Sequence, residues 1–398
     1  MNKQQIKIVV GALAGDEGKG LATDYFASKV DGNILGVLTN GSSQRAHTVD
    51  ISDGKHHVFS HFSSATFRGA DTYISKYFVV NPIKFVEEYT ELQQEYGISP
   101  RVYMHSDCKF ITPWDILSNL VELRKTGKYN STGCGFWKTL ERYNNDVYSV
   151  NIQEVYNLIT FSKSSFDDIK QYYKKDWDLI TTPIDIRGLE RHFIDDMFFL
   201  FHHVIWINDT ILNRYENIIF ENGQGLLIGE QSEKDWNYCT PSNTGIKYAV
   251  EMIQNINSLG FGQKDIEICY VARTYMTRHG QGDIPFLCQK EDINPEINDQ
   301  TNIFNVCQGH LRYGLLPVYD MLDNIKKDMI EITTLYFKGL CALNDITISL
   351  MMTHWNEYHD ESINILSEAF EKTYLSDGRT AESVRELNEQ NIDSNSNI

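Results

Sequence analysis

Apolar runs of strand length recur along the chain and alternate with segments of helical periodicity. The runs predicted to form strands cover 6–11, 34–39, 73–80, 101–105, 217–221, 266–272 and 346–352. The segments predicted to form helices cover 18–30, 82–96, 113–126, 152–161, 186–214, 244–259 and 361–373. Because strands that alternate with helices usually form parallel sheets, the pattern predicts an α/β fold with a mostly parallel central sheet flanked by helices.

One elaborated α/β domain is expected over residues 1–385, since 398 residues with 41% hydrophobic side chains can bury a large core. Residues 127–215 carry few strand signals and many aromatic and charged side chains, which favours a largely helical insertion. The tail 386–398 is polar and poor in hydrophobic residues, so we predict that it is disordered.

The composition argues against nucleic acid and membrane partners. The chain has a formal net charge of −18 and no block of consecutive basic residues, which is unfavourable for binding nucleic acid. No apolar run approaches the roughly 18 residues that a membrane span requires, and no signal peptide is visible. The seven cysteines contain no CxxC pair, which is typical of reduced thiols. We therefore expect a cytoplasmic protein whose local basic clefts can bind small anions.

A glycine-rich loop directly after the first predicted strand is the strongest indication of chemistry. It consists of Gly15, Asp16, Glu17, Gly18, Lys19 and Gly20. Glycines let backbone N–H groups approach a phosphate, and the start of the following helix favours an anion. The lysine adds a cation, and the two carboxylates can recruit Mg²⁺ or accept a proton. The loop is not a Walker A motif, because Leu13 and Gly20 occupy positions that need Gly and Ser or Thr.

Other loops rich in glycine, hydroxyl or amide groups are candidates for the same site. His47 follows the second predicted strand and can act as a general acid, since histidine titrates near neutrality. Gln224 lies between two glycines after the strand 217–221, where its amide can donate to an oxyanion. The remaining candidates for binding phosphate or carboxylate groups are Thr132, Gly133, Thr240, Asn243, Arg278 and Arg312. Each motif alone is also compatible with an ordinary turn, a helix cap or a surface arginine.

Taken in order, these motifs resemble the adenylosuccinate synthetase family over residues 6–385. The opening GDEGKG is the most specific element. The further elements that are similar to family motifs are Ala46-His47-Thr48, residues 220–225, residues 241–244 and residues 277–282. The resemblance implies a P-loop-type fold in which ligand loops follow the strands of an open sheet.

The resemblance also implies a reaction. A nucleoside triphosphate phosphorylates the 6-oxygen of a purine nucleoside monophosphate, and the amino group of L-aspartate then displaces the phosphate. The roles it implies for single residues are a base at Asp16, an acid at His47 and stabilisation of charge on the 6-oxygen at Gln224. Mg²⁺ is the implied cofactor, bound at Asp16 and Ala46, and a homodimer is the implied assembly, with Lys138 or Arg142 as candidates to cross between subunits.

The binding residues that the resemblance implies fall into two groups. The group for nucleotides and phosphates comprises Gly15, Glu17, Gly18, Lys19, Gly20, Thr48, Thr132, Gly133, Thr240, Asn243, Thr353 and Asn356. The group for L-aspartate comprises Arg312, His310 and Gln308, and Arg278 is a further site residue.

Departures from the family concern specificity. Members that use GTP recognise guanine with Thr-Lys-x-Asp, whereas this chain has Thr353-His354-Trp355-Asn356. A neutral Asn356 cannot accept both guanine N–H donors as well as a carboxylate does, so ATP becomes plausible beside GTP. The loop from Asp299 to Arg312 looks like that of archaeal and phage relatives, but the retained Asp16 favours IMP or dIMP. No physical account of Arg45 and Cys134 emerges at this level.

Two main alternatives stay open, beside an unrelated α/β NTPase that would hydrolyse a triphosphate without L-aspartate or a purine monophosphate. The first is a phage-type synthase that makes 2-amino-deoxyadenylosuccinate from dGMP, L-aspartate and ATP. The second is a nucleotide-binding regulatory or defence protein that lacks ligase activity, for which the altered loops 41–48 and 353–356 are the motivation.

Overall fold

A computed structural model describes residues 4–126, 131–145, 163–179, 185–230, 238–257, 264–299, 304, 307–337 and 346–387. Its strands are β1 Gln4–Gly11, β2 Ile34–Leu38, β3 His47–Asp50, β4 His56–Phe59, β5 Asp71–Ile74, β6 Val79–Val80, β7 Val102–His105, β8 Lys109–Phe110, β9 Val204–Ile207, β10 Asn217–Gly225, β11 Lys264–Arg273, β12 Met276–Arg278, β13 Leu287–Cys288, β14 Arg312–Gly314, β15 Ile346–Thr353, β16 Lys372–Ser376 and β17 Val384–Glu386. Its helices are α1 Lys19–Ser28, α2 Pro82–Tyr96, α3 Pro113–Thr126, α4 Phe136–Asn144, α5 Lys163–Tyr172, α6 Lys174–Trp177, α7 Ile186–His203, α8 Lys247–Asn257, α9 Lys290–Ile293, α10 Val318–Asp328, α11 Ile330–Phe337 and α12 Ser362–Ala369.

A ten-stranded sheet forms the centre of the protein, in the order β17-β16-β15-β11-β1-β10-β2-β5-β7-β9. Neighbouring strands are parallel except for β16 and β17, which confirms the predicted α/β fold. The central strands are buried on both faces, and every residue of β2 is buried. Such strands are continuous apolar runs, which is why the sequence pattern revealed them.

Helix α2 matches the predicted helix 82–96 residue for residue. Asn81 caps its start, where its side chain accepts a hydrogen bond from the backbone N–H of Lys84 at 3.4 Å. Pro82 occupies the first turn, and Gly97 ends the helix with φ of +67°. These capping signals are local, so the sequence contained both ends of the helix.

Three predicted elements differ from the structure because strand pairing changes their ends. The predicted helix 186–214 stops at His203, and β9 then joins the sheet edge beside β7. The predicted strand 73–80 divides into β5 and β6. The predicted helix 361–373 ends at Ala369, after which β16 begins at Lys372.

The domain division stays a prediction. The described parts of 127–215 include the helices α4 to α7 and also β9 and a short 3₁₀ segment. The predicted helix 152–161 and most of the tail lie outside the described residues. Within the described ranges, no helix is both long enough and apolar enough to cross a membrane.

Two smaller features shape the edge where the parallel strands end. The hairpin β3–β4 follows β2, so His47 lies at the start of β3. A three-stranded antiparallel sheet in the order β12-β14-β13 follows β11. The carboxyl ends of β1, β2, β10, β11 and β15 thus deliver loops to one edge of the large sheet, which is where α/β proteins bind ligands.

Candidate active site

The loop after β1 is shaped by the buried carboxylate of Glu17. This carboxylate is 1% exposed and accepts hydrogen bonds from the backbone N–H groups of Leu13 at 2.6 Å and Gly15 at 3.2 Å. It also pairs with Lys19 Nζ at 3.1 Å. Burial raises the pKa of Glu17, and Lys19 with the backbone donors works against that rise. The Glu17 side chain therefore stabilises the loop. Because its carboxylate is used within the loop, the nucleotide contact predicted for Glu17 would have to come from its backbone.

The same loop needs residues with left-handed backbone. Asp16 has φ of +57° and Gly18, which caps α1, has φ of +94°. A Cβ on Gly18 would lie 2.8 Å from Cγ2 of Thr353, so glycine is required here by both space and conformation. Thr353 in turn donates its hydroxyl hydrogen to the Glu17 carbonyl at 2.9 Å. Thr353, predicted to contact nucleotide, therefore uses its hydroxyl to support residues 15–20, which are called the phosphate loop after their predicted role.

Lys19 and Gly20 begin α1 and face the start of β3. A Cβ on Gly20 would lie 2.6 Å from the carbonyl oxygen of Thr48, so the helix start and this strand are in close contact. The phosphate loop and the loop before β3 are therefore neighbours. The loop before β3 includes Ala46, which is exposed. The backbone amides at the start of α1 favour an anion, and the buried ammonium of Lys19, whose charge is partly balanced by Glu17, lies beside them.

The loops that carry His47 and Gln224 are tied together by amide side chains. Asn40 accepts a hydrogen bond from the backbone N–H of Gly223 at 2.8 Å and donates to the Gly223 carbonyl at 3.2 Å. Asn222 donates to the carbonyls of Thr244 at 3.0 Å and Gly245 at 2.6 Å. The ends of β2 and β10 and the loop before α8 are consequently linked by side-chain hydrogen bonds.

His47 is held in a buried ionic cluster with Glu221 and Arg45. The Nδ1 atom of His47 lies 2.7 Å from Glu221 Oε1 and 3.1 Å from Arg45 Nε. Because Nδ1 serves one partner at a time, we assign its hydrogen to the shorter contact with Glu221. Burial opposes ionisation of Glu221, but Arg45 and His47 outweigh it and lower the pKa of Glu221 to about 2. Burial and the nearby Arg45 lower the pKa of His47 to about 3, against the effect of Glu221, so the ring is neutral near neutral pH.

The structure gives Arg45 a physical role that the sequence did not reveal. Its guanidinium is buried and pairs with the Glu221 carboxylate. It also donates to the carbonyls of Ser60 and Phe62, both at 3.0 Å. Arg45 thus neutralises a buried carboxylate and fixes the segment that follows β4 against the loop of His47.

Gln224 has an unpaired polar atom in the site. Its backbone is left-handed, with φ of +65°, and its Oε1 is buried without a hydrogen-bond partner among the described residues. A Cβ on the neighbouring Gly225 would lie 2.9 Å from Glu17 Oε1, which places the two loops in contact. Since a buried unpaired acceptor is costly, Oε1 is available to a hydrogen-bond donor of a ligand.

Two arginines stand side by side on the small antiparallel sheet. Arg278 of β12 and Arg312 of β14 are cross-strand partners. Arg278 donates to the carbonyl of Asp283 at 3.0 Å, and Arg312 donates to that of Gly282 at 2.8 Å. The Nε of Arg312 has no hydrogen-bond partner among the described atoms, and burial lowers the pKa of Arg312. Adjacent guanidinium groups are suited to an anion with two carboxylates.

This arginine-bearing sheet lies against the phosphate loop. Arg273, at the end of β11, donates through Nε to the Asp16 carbonyl and through Nη1 to Asp299 Oδ2, the latter at 2.7 Å. His279, directly after β12, places Nε2 at 3.6 Å from Asp16 Oδ2. The two predicted halves of the site, for phosphate and for aspartate, are therefore in contact through Asp16.

The loop 131–135 connects the same region to α3. Ser131 donates to Asn119 Oδ1 at 3.0 Å, and the Cys134 thiol contacts Gln44 Oε1 at 3.5 Å. A Cβ on Gly133 would lie 2.9 Å from Cys307 Sγ, close to the loop of Gln308 and His310. Burial raises the pKa of the Cys134 thiol, so it is a packed thiol rather than a reactive one. Thr132 and Gly133 thus lie beside the loop of His47 and the loop predicted for aspartate.

Of the other predicted residues, some brace the site and some lie at its surface. Asn243 accepts a hydrogen bond from the backbone N–H of Gly245 at 3.0 Å, and the Thr240 N–H donates to Ile228 at 2.6 Å. Gln308 is half-buried and its carbonyl accepts from the Gly280 N–H at 3.2 Å. His310 and Asn356 are exposed, and no described contact joins them to the phosphate loop.

Arg142 cannot serve as a residue that reaches a second subunit. Its guanidinium is fully buried and donates to both carboxylate oxygens of Asp115, each at 2.9 Å. It also donates to the carbonyl of Phe110 at 3.1 Å. Lys138 pairs within its own chain, with Glu122 at 2.9 Å and Glu141 at 3.2 Å.

The sequence did not reveal the residues that hold other site residues in place. Glu221 lies inside the motif 220–225 and was not singled out, and Arg45 of the loop 41–48 was noted without a role. Arg273, Asp299 and His279 were also missed. A charged residue in an otherwise apolar strand end was the available signal for Glu221 and Arg273.

The adenylosuccinate synthetase family model matches residues 8–333. The chain therefore belongs to the adenylosuccinate synthetase family, a family of C–N ligases. It is 26% identical over 303 residues to the adenylosuccinate synthetase of Picrophilus torridus, covering 74% of this chain and 68% of that protein. It is 25% identical over 297 residues to that of Streptomyces griseus, covering 72% and 66%. The chain thus spans about two thirds of the length of these relatives.

Two solved structures share the fold. The fully ligated adenylosuccinate synthetase of Plasmodium falciparum has a TM-score of 0.68 at 14% identity, covering 95% of this chain and 98% of that one. The succinoaminodeoxyadenylate synthetase of cyanophage S-2L, bound to dGMP and to dATP as an energy donor, has a TM-score of 0.62 at 14% identity, with coverages of 99% and 98%. Both likenesses support the fold alone.

Proposed function

We propose that this protein joins L-aspartate to C6 of a purine nucleoside monophosphate, driven by a nucleoside triphosphate. The observation that carries the proposal is the contact of the phosphate loop with Arg273 and with His279, the residue next to Arg278 of the arginine pair. Arg273 and His279 both meet Asp16, and Arg278 and Arg312 stand next to them on the small sheet. A phosphoryl site and a dicarboxylate site that share one boundary are what this ligation requires.

In the first step, the proton on purine N1 passes to the Asp16 carboxylate. The electron pair left on N1 forms the N1=C6 bond, and the 6-oxygen becomes an oxyanion beside the Gln224 amide. That oxyanion attacks the γ-phosphorus, and the bond to the leaving nucleoside diphosphate breaks. Lys19 and the backbone amides at the start of α1 neutralise the phosphates, which is the main requirement of phosphoryl transfer.

His47 supports the transferring phosphoryl group. The ring is neutral in the free protein, and phosphates bound beside it favour the protonated ring. In that form Nδ1 donates to Glu221 while Nε2 donates to a phosphoryl oxygen. Arg45 and Glu221 fix the ring plane, so Nε2 is in place before the substrate binds and becomes a donor once the ring is protonated.

In the second step, the amino nitrogen of L-aspartate bonds to C6, the bond from C6 to the phosphorylated oxygen breaks, and inorganic phosphate leaves with the proton that the amino group loses. Arg312 and Arg278 hold the two carboxylates, with Gln308 and His310 contributing from the neighbouring loop. The unpaired Nε of Arg312 supports this assignment, because a buried guanidinium nitrogen without an acceptor favours an anionic ligand.

The residues also fit Mg²⁺. The described residues contain no cluster of three or more His, Cys, Asp or Glu side chains for a metal. Mg²⁺ usually binds through one or two carboxylates with phosphates and water, so the Asp16 carboxylate and the Ala46 carbonyl are a sufficient protein contribution. Bound there, Mg²⁺ neutralises charge on the triphosphate. A homodimer stays an expectation from the family.

Asp16 and Asn356 are the residues that bear on the choice of purine monophosphate as acceptor and of nucleoside triphosphate as donor. Asp16 is retained as the loop carboxylate, which favours IMP or dIMP over dGMP. Asn356 is exposed and neutral, so it accepts from guanine less well than a carboxylate and ATP becomes an acceptable donor. The alternative of a phage-type synthase differs in the acceptor alone.

A mass-resolved end-point assay tests the proposal. IMP, dIMP, GMP and dGMP are each incubated with L-aspartate, Mg²⁺ and either ATP or GTP. We expect succino-IMP or succino-dIMP, and an Asp16→Ala variant that binds the monophosphate but gives no product. Succino-dGMP would establish the phage-type acceptor instead. Nucleotide binding without any succinopurine would refute the ligase and leave a binding protein.

A further inference from the structure

We propose that His279 is a positioning residue that holds the Asp16 carboxylate for removal of the purine N1 proton. This inference rests on the proposed function, because it assigns a supporting group to the base of that reaction. Residues 277–282 are similar to the family element Thr-Arg-x-Gly-x-Gly, and His279 occupies its first variable position, so the resemblance assigns His279 no role.

The Asp16 carboxylate has no other anchor in the described structure. Its backbone is fixed, because φ is +57° and Arg273 Nε donates to its carbonyl. Its side chain is 38% exposed, and among the described residues His279 alone comes within ion-pair distance of it, at 3.6 Å from Nε2 to Oδ2. Such a carboxylate rotates freely about its side-chain torsions unless a second group restrains it.

His279 is itself held firmly. It follows β12, whose pairing with β14 is antiparallel, and the next residue, Gly280, donates its N–H to the Gln308 carbonyl at 3.2 Å. The Nδ1 atom of His279 is buried and has no hydrogen-bond partner among the described atoms. The ring is therefore placed by the small sheet and not by hydrogen bonds of its own within the described structure.

The distance of 3.6 Å is slightly longer than a hydrogen bond. Catalytic hydrogen bonds are often long before substrate binds and shorten in the complex. A closure of about 0.6 Å would bring Nε2 and Oδ2 to normal hydrogen-bond length. His279 would then restrict Asp16 to the rotamer that faces the purine.

Loss of this restraint should lower the rate of the first step. A base misplaced by about 1 Å costs on the order of 100-fold in rate. We therefore expect His279→Leu to lower kcat by roughly 10- to 100-fold with little change in the KM for the purine monophosphate. His279→Gln should recover most of the rate, because its amide nitrogen reaches the position of Nε2, whereas His279→Asn reaches only that of Nδ1.

Positional isotope exchange separates the first step from the second. With the donor labelled at its β,γ-bridging oxygen and no aspartate present, scrambling of the label reports formation of the 6-phosphoryl intermediate. His279→Leu should lose scrambling and complete ligation in the same proportion. Exchange that stays normal while ligation falls would overturn the proposal, since His279 would then act in the aspartate step, and unchanged rates in both assays would also overturn it.

Two controls keep the result interpretable. His192→Leu removes a contact of similar length on α7, 3.4 Å from Nε2 of the exposed His192 to Oδ2 of the buried Asp196. It should leave both assays unchanged. If His279→Leu does not fold, the Gln and Asn variants decide the question, because equal rates in these two would overturn the role of Nε2. Wild-type protein that gives neither scrambling nor succinopurine would refute the proposed function itself.

Discussion

A buried carboxylate at the end of α10 should make the stability of this protein fall as the pH rises. Asp328 accepts hydrogen bonds from the Ile246 N–H at 3.1 and 3.2 Å and from the Tyr270 hydroxyl at 2.9 Å. It thereby anchors the loop 240–245, which carries two of the predicted phosphate-binding residues. Burial raises the pKa of Asp328 from 3.8 to about 7, although Tyr270 and the Ile246 N–H partly oppose it.

The sign follows from proton linkage. A folded-state pKa above the unfolded value means that the folded protein binds more protons between about pH 4 and pH 7. The contribution of Asp328 to stability is fully present below pH 4 and is lost as the pH rises through 7. At 1.36 kcal/mol per pKa unit, the rise from 3.8 to about 7 corresponds to about 4 kcal/mol.

An Asp328→Asn variant should remove this dependence, because the amide imitates the protonated carboxyl and keeps an acceptor for Ile246. We expect the variant and the wild type to have similar free energies of unfolding near pH 4. At pH 8 the variant should be more stable by up to about 4 kcal/mol. Urea denaturation followed by circular dichroism at pH 4, 6 and 8 measures this difference.

A second carboxylate on α10 provides the control for this experiment. Asp323→Asn changes an exposed carboxylate on the same helix, which pairs with Lys327 at 3.2 Å, and should shift stability by less than about 1 kcal/mol at every pH. A difference between Asp328→Asn and wild type that does not change with pH would refute the reasoning. It would mean that Asp328 stays ionised in the folded protein.

Two further predictions concern the site. Arg45→Ala leaves Glu221 buried without its main cation, so we expect a loss of about 3–5 kcal/mol in urea denaturation. Part of that loss should return in the double variant with Glu221→Gln, and a loss below about 0.5 kcal/mol would contradict the buried pair. Asn356→Asp supplies a carboxylate for guanine, so the ratio of kcat/KM for GTP over ATP should rise by about tenfold. Asn356→Ser is its control, and an unchanged ratio in the Asp variant would show that Asn356 does not contact the donor base.

Features encoded in short contiguous segments could be predicted from the sequence. Helix α2 carries its own caps at Asn81 and Gly97, so both its ends were predicted correctly. The buried parallel strands are apolar runs, and the loop that is predicted to bind phosphate lies within six consecutive residues. In each case the interactions that decide the structure are between near neighbours in the chain.

Tertiary structure decided the features that depend on distant partners. Residues 204–207 follow a helix and form a strand only because β7 offers free backbone groups at the sheet edge. The pairing of Glu221 with Arg45 and His47 joins residues more than 170 positions apart, and that of Asp16 with His279 joins residues more than 250 apart. No local pattern contains such contacts, because the strand order that brings the loops to one edge is set by packing of the whole sheet. The sequence alone thus determined which groups could do the chemistry, and the fold determined which of them hold the others in place.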